Sequence, residues 1–173
     1  MTDKVRNILN TQIQEELYSA YLYLALAGYL ESTNLKGMAN WMYVQVKEEV
    51  DHAMGLHRFL LERGATPELE VIGKPDISLI KNPADVFAAA LKHEQHITDL
   101  INKILEVARE EKDYALEAFI KWYIDEQVEE EESAFEALEK VNLAAGNGPA
   151  LLILDEQFAS RIYTPGGPYA SKA

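Results

Sequence analysis

The sequence contains no cysteine. That absence excludes disulfides, thiolate zinc sites, iron–sulfur clusters and thiol nucleophiles, leaves any metal to nitrogen and oxygen ligands, and agrees with a reducing cytoplasm. Basic residues are scarce: 16 Lys and Arg stand against 29 Asp and Glu, for a net charge of -13. Neutralising a phosphate backbone needs clustered cations, so no nucleic-acid partner is expected, and small cations suit such a chain better. Long apolar runs are missing as well. The most apolar stretch, Leu17 to Leu30, is interrupted by Ser19 and four tyrosines and is too short to cross a bilayer, so no membrane partner is expected. The opening Met-Thr-Asp-Lys-Val-Arg lacks the apolar core of an export signal, which again points to the cytoplasm.

Proline (6) and glycine (9) are few and collect in a few places. Between them, apolar residues recur at three- and four-residue steps, the period of an amphipathic helix. Val5, Ile8, Leu9, Ile13, Leu17, Ala20, Leu24 and Ala27 predict a first helix from Asp3 to about Glu31. Ser32-Thr33-Asn34 interrupts it, and a second pattern through Trp41, Val44, Met54, Leu56, Phe59 and Leu60 ends at Gly64. Residues 65–83 hold Pro67, Gly73, Pro75 and Pro83 and read as a long connection, with Leu69 to Ile72 briefly extended. A third helix follows from Ala84 to about Glu111, and Asp113 caps a fourth that runs to about Leu143. Pro149 opens a short fifth helix, Ala150 to about Ile162. Residues 1–163 thus form one domain, and Thr164-Pro165-Gly166-Gly167-Pro168 begins a tail, 164–173, expected to be disordered.

The length of the connection between the second and third helices has a reason. A helix such as the third is roughly 42 Å long at ~1.5 Å per residue, whereas that connection can stretch roughly 60 Å and so cross from one end of a bundle to the other. The predicted fold is all-α: a four-helix bundle with one long crossover and a short C-terminal helix.

Within the second helix, Glu49-Val50-Asp51-His52 is a Glu-x-x-His whose carboxylate and imidazole emerge on one face and can hold one metal. Such a pair is common on helix surfaces, and depth is what distinguishes this one. Counting the helical rise from one end of the bundle, Glu16 lies ~20 Å up, Glu49 about 21 Å, Glu94 about 25 Å and Gln127 to Glu130 about 20 to 24 Å. A buried carboxylate without a partner costs several kcal/mol, and no Lys or Arg occupies the matching turns. Two divalent metals are the simplest compensation. A carboxylate-rich set with a single His suits iron or manganese better than structural zinc.

The segments Glu16 to Tyr23, Glu48-Glu49-Val50-Asp51-His52, His93-Glu94 and Trp122 to Glu130 resemble, in order and in register, the four ligand segments of the prokaryotic non-haem ferritins, and the likeness runs from the first helix through the fifth. The resemblance implies a ferroxidase that oxidises Fe(II) with dioxygen or peroxide and stores and detoxifies iron as ferric mineral, in a hollow homo-oligomer of twenty-four subunits without haem. It implies that Glu16, Glu49 and His52 hold one iron, with Glu49 bridging, and that Glu94 and Glu130 hold the second with Gln127 nearby. Glu48, Glu126 and Glu129, with Glu130, match the third iron site of the family. Tyr23 matches a tyrosine that gives up an electron during oxygen reduction, and Trp122 an aromatic residue beside the centre.

Related di-iron bundles are separated by what stands at the fourth segment. Haem-containing bacterioferritins and rubrerythrin-type peroxidases carry a second Glu-x-x-His there, where this chain reads Gln127-Val128-Glu129-Glu130. Val50 stands where bacterioferritins place the haem-binding Met, and the cysteine-rich domain of rubrerythrins has no counterpart. His57, His93 and His96 are expected off the ligand faces, as surface or supporting residues. Glu131 and Glu132 are expected on the surface and Met54 in packing.

Overall fold

Five helices make up the described residues, 1–169, of this computed structural model: α1 (Asp3–Ser32), α2 (Lys36–Glu62), α3 (Pro83–Glu110), α4 (Tyr114–Ala144) and α5 (Gly148–Ala159). Most begin where a side chain can accept from the free amides of a first turn. Thr2 accepts from Val5 at 3.4 Å, Asp113 from Leu116 at 3.1 Å and Asn147 from Ala150 at 3.1 Å. Asn82 and Asp85 form a reciprocal capping box around Pro83. In α2 the cap position is held by Leu35, which has no acceptor, and Asp155 of α5 supplies one instead by accepting from the Met38 amide at 2.8 Å. A Cβ on Gly37 would fall 1.7 Å from the Asp155 carbonyl oxygen, so glycine is required where α5 crosses α2. Asn34 (φ 64°) and Lys112 (φ 53°) take the left-handed conformation that ends α1 and α3 in tight turns.

Ion pairs at the helix ends report the topology. Lys4, at the start of α1, pairs with Glu110 at the end of α3, and Arg63, just past α2, makes a two-pronged contact of 2.9 and 3.0 Å with Asp113 at the start of α4. So α1 is antiparallel to α3 and α2 to α4. Since α1 and α2 are joined by a short turn, α2 and α3 run parallel and the 63–82 segment crosses the length of the bundle. This is the expected four-helix bundle with one long crossover and a short fifth helix.

Two expectations meet a different outcome. Leu69 to Ile72 form no strand, nor does any other described segment, because no second strand lies alongside. The crossover is tethered by the Glu68 amide bonding to Asn10 at 3.1 Å and by Ile77 and Ile80 packing on the core. Second, α5 stops at Ala159 rather than near Ile162. Residues 164–169, the described part of the expected tail, run down the exposed face of α2. The Gly166 amide donates to Asp51 at 3.1 Å, Pro168 lies against Gly55, and the Tyr169 hydroxyl donates to Glu62 at 2.6 Å. Residues 170–173 of that expectation lie outside the described residues.

The apolar interior is split in two. One cluster, with Leu26, Met42, Phe87 and Ala134, fills the end where α5 packs; the other, with Leu9, Leu56, Ile101 and Ile120, fills the opposite end. Between them every bundle helix carries buried polar residues: Glu16 on α1, Glu49 and His52 on α2, Glu94 on α3, and Gln127 and Glu130 on α4.

Candidate metal centre

Four carboxylates from four helices meet at this level, with Glu16 at 0%, Glu49 and Glu94 at 1% and Glu130 at 6% exposure. His52 joins them from one helical turn beyond Glu49, its Nδ1 3.5 Å from a Glu49 oxygen. Ligand atoms of Glu16, Glu49 and His52 lie within 4.8 Å of one another, and a second such group consists of His52, Glu126 and Glu130. Glu94 receives two donors: the Tyr23 hydroxyl and, at 3.2 Å, the Gln127 amide. Gln127 also donates to the Glu94 carbonyl at 3.2 Å.

No Lys or Arg ion pair reaches these four carboxylates among the described residues. Burial therefore dominates their acidity. It pushes Glu49 well above the usual carboxylate range, and the charges of Glu94, Glu16 and Glu130 push it further. Burial also raises Glu16 and Glu94, against the attraction of His52 for the former and the Tyr23 and Gln127 hydrogen bonds for the latter. Glu130 is raised to about 8 by burial and then by Glu94. Without a cation the cluster keeps protons at neutral pH. Two of its oxygens, Oε2 of Glu16 and Oε1 of Glu49, are fully buried with no hydrogen-bond partner, as is Oε1 of Gln45. A buried acceptor left unmet costs about 1–3 kcal/mol, and a cation removes that cost for several acceptors at once.

The residues expected around this core are divided. Tyr23 is fully buried with its hydroxyl on Glu94. Trp122 turns its ring edge-on to His52, centroids 5.5 Å apart. Of the third set, Glu126 is brought to His52 and Glu130, whereas Glu48 pairs with Arg161 at 2.7 Å. Glu129 is exposed and outside both groups, turned ~100° around α4 from Glu130. Of the histidines, His96 is exposed and 3.6 Å from Glu15, while His57 is partly buried. His93 is buried, its Nε2 2.7 Å from the Ser19 hydroxyl, and burial lowers it to about 4, so it is neutral. Met54 is exposed rather than packed in the core.

Several contributors escape the sequence reading. Gln12 donates to Glu16 at 3.0 Å and Gln45 to Glu130 at 2.8 Å. Their signal was present, because each precedes a carboxylate of its own helix, Glu16 or Glu49, by four residues and so shares its face. The Tyr123 hydroxyl donates to the His52 carbonyl at 2.8 Å, and a Cβ on Gly55 would come within 2.5 Å of that hydroxyl. No spacing rule links residues so far apart in sequence.

The ferritin-like domain family model matches residues 6–144. A bacterial non-heme ferritin of Bacteroides fragilis is 31% identical over 93% of this chain and 99% of its own length. Another, from Staphylococcus aureus, is 32% identical over 90% of this chain and 93% of its own. Among solved structures, an open-pore ferritin from the hyperthermophilic archaeon Archaeoglobus fulgidus superposes with a TM-score of 0.91 at 42% identity, covering 94% of this chain and 98% of that one. A form of the Archaeoglobus protein engineered to be closed gives 0.92 at 42% identity, over 95% and 99%.

Proposed function

The chain belongs to the prokaryotic non-haem ferritins, and we propose that its buried carboxylate cluster is a di-iron ferroxidase centre taking Fe(II) and dioxygen or peroxide as substrates. The observation that carries this reading is the set of four carboxylates buried on four helices with no Lys or Arg paired to them among the described residues, two of them with an oxygen left unpartnered. Glu16, Glu49 and His52 hold one Fe(II); Glu94 and Glu130 hold the other, with Gln127 fixing the Glu94 carboxylate. The donors are oxygen and imidazole nitrogen, as iron(II) prefers.

Fe(II) binding displaces the protons that burial keeps on the carboxyls. Each Fe(II) gives up one electron. The pair reduces dioxygen, with two protons, to hydrogen peroxide, or reduces hydrogen peroxide, with two protons, to water. The carboxylates, ionised once iron is bound, favour the more highly charged ferric product. Tyr23, hydrogen-bonded to Glu94, can stand in for one Fe(II) as the second electron donor to the oxidant, passing its proton to that carboxylate and remaining as a tyrosyl radical. The ferric product then leaves for storage inside a homo-oligomeric cage in the cytoplasm. An open pore and an engineered closed form are named for the Archaeoglobus ferritin.

The test is aerobic addition of Fe(II) to metal-free protein and to Glu49→Ala and His52→Ala variants, following ferric absorbance and oxygen uptake. The variants are expected to lose about tenfold or more in initial rate, because each removes one ligand and its geometry. Equal initial rates in all three overturn the assignment.

A further inference from the structure

Arg161 follows directly on α5 and is held at several points. Its guanidinium donates to Glu48 at 2.7 Å and to the Trp41 carbonyl at 3.4 Å, and lies over the Trp41 ring at 4.5 Å. Its own carbonyl accepts from Asn40 at 2.9 Å. Both partners of the ion pair are largely covered, Arg161 at 24% and Glu48 at 20% side-chain exposure. Beyond it, residues 163–169 descend α2 in step with its turns: Tyr163 donates to Asp51 at 2.6 Å, Pro168 lies against Gly55 and Tyr169 stacks on Arg58 at 4.5 Å.

Glu48 is adjacent in sequence to Glu49, but on the outward side of α2. It lies four residues, about one turn, before His52 on the same helix, so its side chain shares the His52 face where Glu126 and Glu130 meet. A cation moving outward from the centre past His52, Glu126 and Glu130 therefore finds in Glu48 its next carboxylate, and finds it occupied. The guanidinium already sits on Oε2 of Glu48, so a divalent cation taking the other oxygen is held beside a positive charge in a partly buried position and binds more weakly.

We propose that Arg161 is a gate on cation transfer from the di-iron centre: its guanidinium holds Glu48 and opposes a third cation there, so the cation binds more tightly as the chain following α5 gives way. This rests on the di-iron reading above. The alternative role for Arg161, docking α5 onto Trp41, involves no competition for Glu48, which separates the two.

The experiment uses the assembled full-length protein and redox-inert Zn(II), with ions bound per subunit measured by equilibrium dialysis and metal analysis. Wild type is expected to bind two ions tightly and a third more weakly. Arg161→Gln is expected to tighten the third by about tenfold and leave the first two unchanged. Arg161→Lys, which keeps the charge and loses the planar stacking on Trp41, is expected to fall between wild type and Arg161→Gln. In a Glu48→Gln background, where arginine and cation have no carboxylate to contest, Arg161→Gln has no effect. A change in the third ion of less than about twofold in Arg161→Gln, or the same gain with Glu48→Gln present, overturns the gate. Failure of the first two ions to bind overturns the di-iron reading, and is seen separately because the gate is scored on the third ion alone.

Discussion

Replacing Glu130 by Gln should make the metal-free protein less sensitive to rising pH. The Glu130 carboxyl, ordinarily near 4.5, is raised to about 8 in the fold by burial and then by Glu94. Between those values the native chain keeps a proton that the unfolded chain has lost, so unfolding is favoured as pH rises. The associated stability is fully present below the ordinary value and is lost as pH climbs to the raised one. Each pH unit in that window removes about 1.4 kcal/mol per subunit for one such group. From about pH 6 to about pH 7.5 the loss is on the order of 2 kcal/mol, or roughly 4–8 °C in Tm for a chain of this size. Glutamine keeps the shape, and its carbonyl accepts the Gln45 amide that now reaches Glu130 at 2.8 Å, so the slope changes while the fold persists. The assay is calorimetric Tm of chelator-treated wild type and Glu130→Gln at fixed subunit concentration across that range. The wild-type Tm should fall, and the variant's should fall by roughly 4–8 °C less, with the residue of the slope due to Glu49, Glu16 and Glu94. Saturating Zn(II) should turn the wild-type slope upward, since bound cations require ionised carboxylates. Superimposable curves for the two metal-free proteins would refute the reasoning.

Other substitutions probe the scaffold. Gly37→Ala sets a methyl against the Asp155 backbone and should cost about 1–3 kcal/mol by thermal denaturation; an unchanged Tm would contradict this crossing. Asp113→Ala removes both the α4 cap and the contact to Arg63, and should cost about 1–3 kcal/mol by thermal denaturation. Asp113→Asn keeps an acceptor for the cap and should recover part of that loss, so identical losses in the two variants would show that the cap contributes nothing.

How much of this was readable in the sequence depends on how far apart the cooperating residues lie along the chain. Glu49 and His52 are neighbours on one helix, so their spacing alone puts them on one face. Glu16, Glu94 and Glu130 were placed at a common level because a helix has a fixed rise, but the rise says nothing of which donors turn toward them. Gln45 illustrates the limit: its position four residues before Glu49 puts it on the right face, yet it serves Glu130 on another helix. His93 was expected as a surface or supporting residue, and only the packing of α1 on α3 shows that Ser19 holds it. The segment after α5 reads as loop chemistry because its proline and glycine carry no period. Its course along the bundle follows contacts with Asp51, Gly55, Arg58 and Glu62 of α2, residues more than a hundred positions earlier.

The polar layer that divides the interior also makes the two ends mechanically separate. Leu26 and Phe87 belong to one cluster, Leu56 and Ile101 to the other, and a methylene added or removed at one end is absorbed by neighbours that do not extend across the carboxylates. Volume changes at opposite ends should therefore combine additively, whereas any pair within one end should not. The bundle behaves as two small cores on common axles, each free to be repacked, with the layer between them the one level at which all four helices must keep their rotation.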